Sequence, residues 1–376
     1  MTRRVVITGP DGFLGWHLRC RMHALGADEV VGLGREGLAD KQAAGAAVSG
    51  ADVVIHLAGV NRGTDDEVLS GNQLAAEQLV DACDRVGATP RVVYADSIHS
   101  DRDTVYGRSK RQAGKLLESW ASQRAATYVD VRLPNLFGEH ARPHYNSVVA
   151  TFCHLLATGG RPEVTDDAEI PLLHVQAAAA ALLEAAEPFS PGVVEPAGKP
   201  VRVAAVRDLL VAQAESYRRG EIPDLSDELA RDLFNSYRSY AVAALPLPIT
   251  KHRDDRGALF ECVRAHGGTG QTFLSSSRPG VTRGEHFHLR KVERFVVVAG
   301  RGQIRLRKLF SDDVARFDVD GDAPVIVDMP TMWAHSVTNT GDDDMVTLFW
   351  TNDLFDPEQP DTFSEAVLQG QELAVP

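Results

Sequence analysis

Two groups of residues have types and spacings that can do chemistry. In GEHFHLRKVERFVVVAG (Gly284–Gly300), His286 and His288 stand one residue apart and Glu293 follows. The surrounding run is rich in β-formers. Alternate strand side chains share a face, so the two imidazoles point the same way about 6–7 Å apart. Neutral imidazoles with a carboxylate suit zinc, iron, manganese or nickel. Two strand histidines exposed to solvent would have the same spacing without a metal. The second group is Tyr106 and Lys110 in VYGRSK. On a helix, residues four apart share a face. A lysine beside a tyrosine favours the phenolate and lowers the phenol pKa. Such a tyrosine can pass a proton to or from a sugar oxygen while hydride moves to or from a nicotinamide. A surface i,i+4 pair has the same spacing.

Each group needs elements to hold it. The chain opens RRVVITGPDGFLGWHLRCRMHALGADEVVGLGRE. A short β-branched strand runs into Gly9, Gly12 and Gly15, then an amphipathic helix, then a second strand. Glycines there allow a tight turn, with Phe13 and Leu14 inside it, and let a diphosphate approach the helix N-terminus. Packing alone also places glycines at strand–helix turns. An acidic residue at the end of the second strand would bind a ribose 2′-hydroxyl. Arg35 stands there instead, and a guanidinium suits the 2′-phosphate of NADP(H). The alternative leaves Arg35 in solvent and gives the ribose to Glu36. The next strand, ADVVIHLAGVNR, ends in Leu57, Ala58 and Gly59, suited to lie against an adenosine. A helix (GNQLAAEQLVDACDRVG) and a strand (RVVYADS) follow. The alternation predicts an α/β doubly wound parallel sheet of Rossmann type.

After residue 243 the texture changes. FLSSSRPGV, ERFVVVAGRGQIRLRKL, ARFDVDGDAPVIVDMP and SVTNTGDDDMVTLFWTN read as short strands separated by turn residues. That pattern predicts an all-β barrel or sandwich. The expected division is 1–243 for the nucleotide-binding domain and 244–376 for the β domain.

Bulk properties agree with two domains in 376 residues. Hydrophobic residues are 44% and charged residues 24%, ordinary for a globular chain. A net charge of −13 disfavours nucleic acid and anionic membrane as partners, because both need a basic face. Cys20, Cys83, Cys153 and Cys262 are scattered singly, which points to thiols in a reducing compartment. With no secretory signal in view, a cytoplasmic location is expected.

In chain order, TGPDGFLG, HLAGVN, the Ser97 after the fourth strand, YGRSK and RLPNLFG resemble the extended short-chain dehydrogenase/reductase family of nucleotide-sugar epimerases, dehydratases and reductases. The resemblance implies Ser97, Tyr106 and Lys110 as the catalytic set. It places Leu133 and Lys110 at the cofactor, and Asn61, Asn135 and Asn146 toward the sugar. Two departures stand out. Ser97 and Tyr106 are only nine apart, and Gln176 and Ala177 occupy positions that are usually acidic.

The second half resembles the cupin superfamily through Gly280, His286, His288, Glu293 and Gly300, then Pro330, His335 and Asn339 in PTMWAHSVTN. This implies His286, His288, Glu293 and His335 as ligands of a divalent metal inside a β-barrel. Zinc is expected first, since no redox chemistry is otherwise indicated. Met332 stands where the second motif usually has glycine. KHRDDRGALFECV resembles the opening segment of cupin-fold deoxysugar epimerases, which implies Arg256 at a diphosphate and Glu261 near the substrate. A turn arginine paired with Asp254 or Asp255 is the alternative.

Over nearly the whole chain, AGVNR, PNLFG, YNSVVATFC, DDRG, MVTLFWTN and FDPEQPDTF are similar to the CapF-type bifunctional capsular polysaccharide enzymes. This implies a homodimer acting on a UDP-linked 4-keto-6-deoxy-N-acetylhexosamine. The cupin would epimerise C3, and the reductase domain would reduce the C4 ketone with NADPH to a 6-deoxy-talose configuration. Lys291, between the ligands, is a candidate for the C3 proton. Leu289 stands where the family shows a third histidine. That departure keeps a second reading open, a reductase whose cupin only dimerises or holds substrate.

Overall fold

The computed structural model describes residues 2–26, 28–190 and 192–368. Its chain divides into two compact units. The first takes the described residues up to Phe137, with Ala141–Ser147 and Ala168–Arg202; the second takes Gly138–His140, Val148–Asp167 and the described residues from Val203 onward.

In the first unit, β1 (Arg4–Thr8), β2 (Glu29–Leu33), β3 (Val53–His56), β4 (Arg91–Ser97) and β5 (Tyr128–Leu133) alternate with α1 (Phe13–Leu25), α2 (Arg35–Ala39), α3 (Lys41–Val48), α4 (Asp65–Val86) and α5 (Val105–Gln123). Then come β6 (Asn135–Phe137), β7 (Glu169–His174), α7 (Val175–Ala185), β8 (Val193–Val194) and β9 (Lys199–Arg202). A parallel sheet runs in the order β2-β1-β3-β4-β5-β8. Its central strands, such as VVIH in β3, are buried along their whole length because helices cover both faces. Val6, Val54 and Val92 point toward α3, α4 and α5, while Val5, Ile7, Val53 and Ile55 point toward α1 and α7. The alanine run of α7 permits close packing on α1, where Gln176 donates to Nδ1 and the carbonyl of buried His17. The non-acidic residue at that position is therefore a packing feature. The strand order reverses at β1, so the crevice for a ligand lies beyond the carboxyl ends of β1 and β3.

In the second unit, α6 (Val148–Ala157), α8 (Val203–Arg218) and α9 (Glu228–Ala241) cluster with the β region. The strands are β10 (Leu247–Pro248), β11 (Lys251–Asp254), β12 (Gly257–Phe260), β13 (Gln271–Ser277), β14 (Thr282–Phe287), β15 (Glu293–Ala299), β16 (Arg301–Lys308), β17 (Val314–Asp320), β18 (Val325–Met329), β19 (Trp333–Asn339), β20 (Met345–Thr351) and β21 (Phe363–Ser364). Two antiparallel sheets, β10-β18-β15-β20-β13 and β17-β16-β19-β14-β21, enclose a core that includes Phe295, Val297, Ile304, Leu306, Val327, Met329, Val337 and Phe349. β11 and β12 form a separate hairpin. The fold class is a Rossmann-type sheet followed by a cupin-type β barrel.

The change of texture near residue 243 follows secondary structure, whereas compactness follows packing. On α9, Asn235 donates to the carbonyl of Arg290 at 2.7 Å, and buried Arg238 donates to that of Met329 at 3.0 Å. Polar side chains on this helix thus satisfy backbone groups of the β region.

Candidate functional site

The nucleotide crevice is built from backbone. Gly9 is left-handed at φ +68°, and a Cβ on Gly15 would lie 2.1 Å from the Gly9 carbonyl oxygen. Only glycine permits that approach of helix to turn. Thr8 Oγ1 accepts from the N–H groups of Leu57 and Ala58, at 3.1 Å each, so its own hydroxyl donates to Nδ1 of His56 at 2.9 Å. This ties the ends of β1 and β3 together. A Cβ on Gly59 would meet Asn72 Oδ1 at 2.4 Å. Phe13 and Leu14 open α1, and Leu133 ends β5. Arg35 is exposed at the first turn of α2, with no ion-pair partner among the described residues; Glu36 beside it is exposed too.

Ser97 ends β4, and Tyr106 and Lys110 lie on α5. The nine-residue separation is spanned by a tight turn. Ser100 N–H donates to the Ser97 carbonyl, and Arg102 N–H to that of His99. Thr104 caps α5 by accepting from Gly107 N–H. A Cβ on Gly107 would lie 2.4 Å and 2.5 Å from the carbonyl oxygens of Arg102 and His99, so this glycine makes the short turn possible. The outcome brings the Ser97 hydroxyl close enough to Tyr106 to pull its phenol pKa down, while Ser97 Oγ accepts from His99 N–H at 3.2 Å.

Lys110 is buried; its Nζ donates to the Ala95 carbonyl at 2.6 Å and sits 4.1 Å over the Tyr94 ring. Burial pulls its pKa down to about 8, against the pull of Asp96 and Asp130. The expectation for Tyr106 needs correcting. Burial and the Asp96 carboxylate push its phenol up to about 12, against the opposing pull of the Ser97 hydroxyl. Tyr106 is thus a firmly protonated acid, the state that giving a proton requires. Burial and neighbouring Asp96 raise Asp130 to about 6. One oxygen of each carboxylate is buried without a hydrogen-bond partner. Sequence reading passed over both aspartates; the alternation of YADS and YVDVRL, which puts Tyr94 and Asp96 on one face beside Tyr128 and Asp130, was the available signal.

Asn135 opens β6 and lies near the imidazole of His99, two residues past Ser97, whose pKa it pulls upward against burial and Arg102. Asn61 accepts from the Tyr145 hydroxyl at 2.8 Å, while Asn146 is exposed nearby in sequence.

The four cupin residues converge. In register, His286 of β14 faces His335 of β19 across a bulge, where Gly284 has φ +97° and Glu285 +58°. A Cβ on Gly284 would come within 2.7 Å of the His335 carbonyl oxygen. His288 lies just past the end of β14, and Glu293 begins β15. Glu293 Oε2 is 3.1 Å from Nε2 of His288, 3.1 Å from Nε2 of His335 and 4.0 Å from Nε2 of His286. One donor atom from each residue lies within 4.8 Å of all the others. Met332 takes the left-handed conformation that glycine would favour, at φ +60°, and its N–H donates to the His288 carbonyl. The turn of the second motif is kept without the glycine.

The donor set fits a divalent cation. Carbonyl oxygens only accept, so His288 Nδ1 donates to Asp361 O at 2.5 Å and His335 Nδ1 donates to Trp333 O at 3.1 Å. In the neutral rings each Nε2 then presents a lone pair to the same carboxylate, an arrangement that calls for a positive charge between them. A tetrahedral ion with bonds near 2.1 Å holds its ligands roughly 3.4 Å apart, which the 3.1–4.0 Å separations bracket. Burial and the neighbouring imidazoles push His286 down to about 3, so it stays neutral. A cavity of about 290 Å³ opens onto the cage, lined by residues that include Gln271, Phe273, Lys291, Asp353 and Phe355. Lys291 Nζ donates to Pro360 O and Thr362 Oγ1. Arg256 and Glu261 are not in that lining. Exposed Arg256 pairs with Asp254, and Glu261 with Arg264.

Residues 5–195 match the NAD dependent epimerase/dehydratase family, and residues 252–363 match the polysaccharide biosynthesis C-terminal domain. A UDP-2-acetamido-2,6-beta-L-arabino-hexul-4-ose reductase of Pseudomonas aeruginosa is 30% identical over 98% of this chain and all of its own. The spore coat polysaccharide biosynthesis protein SpsL of Bacillus subtilis is 29% identical over 30% of this chain and 81% of its own. Among solved structures, the capsular polysaccharide assembling protein CapF of Staphylococcus aureus is 34% identical, covers 97% of this chain and 100% of its own, and superposes with a TM-score of 0.63. With a glycine-turn crevice in one unit and a four-donor cage in the other, matched over almost its full length by such relatives, the chain belongs to the NAD dependent epimerase/dehydratase family, in the CapF-type form that carries a cupin-type C-terminal domain.

Proposed function

We propose that this chain acts in two steps on a UDP-linked 4-keto-6-deoxy-N-acetylhexosamine, inverting C3 in the cupin and then reducing the C4 ketone with NADPH in the Rossmann unit. The product would have the 2-acetamido-2,6-dideoxy-L-talose configuration, made by a cytoplasmic homodimer with domains near 1–243 and 244–376. The observation that carries this reading is the presence on one chain of the Ser97–Tyr106–Lys110 group, with Ser97 and Lys110 buried and Tyr106 half-buried, and the four-donor cage. The activity in the name of the Pseudomonas relative supports it.

In the reductive step Tyr106 gives its proton to the C4 oxygen, Ser97 holds that oxygen by a hydrogen bond, and the Lys110 ammonium offsets the tyrosinate left behind. Bound NADPH supplies the hydride. In the cupin, a divalent ion (zinc first) held by His286, His288, Glu293 and His335 would polarise the ketone and ease loss of the C3 proton. Asn61, Asn135 and Asn146 would contact the sugar in the first unit, and Arg256, Glu261 and Lys291 the substrate in the second. The test is NADPH oxidation by metal-loaded protein across UDP- and dTDP-linked 4-keto-6-deoxysugars. Turnover of the UDP-linked N-acetylhexosamine is expected; no oxidation with any of them would overturn the reading.

A pH dependence follows from Lys110. The amine is charged below about 8 and neutral above it, while Tyr106 stays protonated to about 12. The kcat for C4 reduction should be flat below pH 8 and fall about tenfold per unit above it. Lys110→Arg should move that limb out of range.

Exposed Arg35 supports the choice of NADPH. Arg35→Ala should raise KM for NADPH roughly tenfold to a hundredfold and leave KM for NADH unchanged, since a charge-assisted hydrogen bond contributes about 1.5–3 kcal/mol. Equal KM shifts for both cofactors would assign the ribose elsewhere.

One observation favours a narrower reading of the cupin. Lys291 Nζ is engaged by the 360–362 segment, and Leu289 is buried where a further histidine would stand. If the cupin only holds substrate, His288→Ala would lose metal yet leave reduction of the supplied ketone intact.

A further inference from the structure

One residue 73 positions beyond His288 touches both the metal cage and the loop between its ligands. The Asp361 carboxylate accepts three consecutive backbone N–H groups, from Leu289 at 3.1 Å, Arg290 at 3.0 Å and Lys291 at 2.8 Å. Its own carbonyl accepts from His288 Nδ1. Asp361 is left-handed at φ +44°, which turns side chain and carbonyl toward the same loop. Aspartate tolerates that region better than most residues, but the conformation still needs outside support.

We propose that Asp361 is the positioning residue of the metal centre, clamping the 289–291 loop and fixing the His288 tautomer that turns Nε2 toward the ion. The proposal rests on the metal reading above. His335 is oriented from within its own strand, by the carbonyl of Trp333 two residues away. His288 lies past the end of β14 and has no such local partner. The clamp takes that role, and it is anchored on both flanks. Lys291 Nζ holds Pro360 O and Thr362 Oγ1 on one side. On the other, β21 pairs with β14, setting Ser364 opposite His286 and Phe363 opposite Phe287. Buried Arg307 then fastens Glu365, Ala366 and Val367. A ligand held through an anchored outer partner keeps its geometry before the ion arrives.

The experiment uses the full chain, stripped of metal and titrated with zinc against a competing chelator, as wild type, Asp361→Asn and Asp361→Ala. Ring ¹⁵N NMR of the metal-free proteins reads the His288 tautomer. Wild type should bind zinc with His288 protonated at Nδ1. Asp361→Ala should bind about 10- to 100-fold more weakly, with the tautomers mixed. Asp361→Asn, which keeps one acceptor oxygen and tolerates positive φ, should fall between and carries the test if the alanine variant does not fold. A folded variant that binds zinc within twofold of wild type, with His288 unchanged, would reduce Asp361 to a loop staple and leave the metal reading standing. Wild type that binds no zinc would overturn both.

Discussion

Tyr106→Phe should lower C4 reduction by about 100- to 10,000-fold, the range for loss of a positioned proton donor. The expectation is this large because no second acid is placed to replace it. Lys110 Nζ is committed to the Ala95 carbonyl, and the Ser97 hydroxyl is a far weaker acid than a phenol. NADPH affinity should hold within about twofold, since the crevice is backbone built around Gly9, Gly15 and Thr8. Single-turnover absorbance of NADPH gives the rate, and a fluorescence titration gives the affinity. Ser97→Ala should cost less, about tenfold, because the phenol remains. A phenylalanine variant that reduces the ketone at wild-type rate would remove Tyr106 from the chemistry.

Glu293→Gln should release the metal and lower the melting temperature. The carboxylate oxygen is the common neighbour of three imidazole nitrogens, so neutralising it leaves Nε2 of His288 and His335 facing a weak donor. Bound zinc should fall from about one per chain to under a tenth. An ion at a thousandfold excess over its Kd contributes about 4 kcal/mol, so the loss amounts to on the order of 10 °C in Tm. Elemental analysis and calorimetry of wild type and variant check both numbers. Zinc retained at full occupancy would show that the ion is held elsewhere.

Features set by short-range spacing were legible in the sequence. The glycine turn, Tyr-x-x-x-Lys on one helix face and the His-x-His run all depend on residues a few positions apart, where helix and strand periods fix direction. Long-range features were not. Asp361 meets the 289–291 loop across some seventy residues, and nothing in FDPEQPDTF marks which acid will turn inward. The buried Asp96 and Asp130 lie on neighbouring strands whose register appears only in the sheet. Burial, with the field of Asp96, reverses the phenol shift expected from Lys110. The texture change near residue 243 marked where helices stop, but Asn235 and Arg238 carry α9 into the β region's hydrogen bonding, and a linear pattern does not show packing. Met332 is a milder case. A buried methionine at positive φ preserves a turn for which glycine is usual, its strain of order 1–3 kcal/mol offset by the side chain's burial.

The most direct test of two sites working in turn is an exchange experiment. Zinc-loaded protein would receive the UDP-linked 4-keto sugar in heavy water without NADPH, with NADPH added later. Deuterium should appear at C3 before any reduction, and the ketone should then be lost with that label retained. Reduction of a sugar that carries no deuterium at C3 would contradict it.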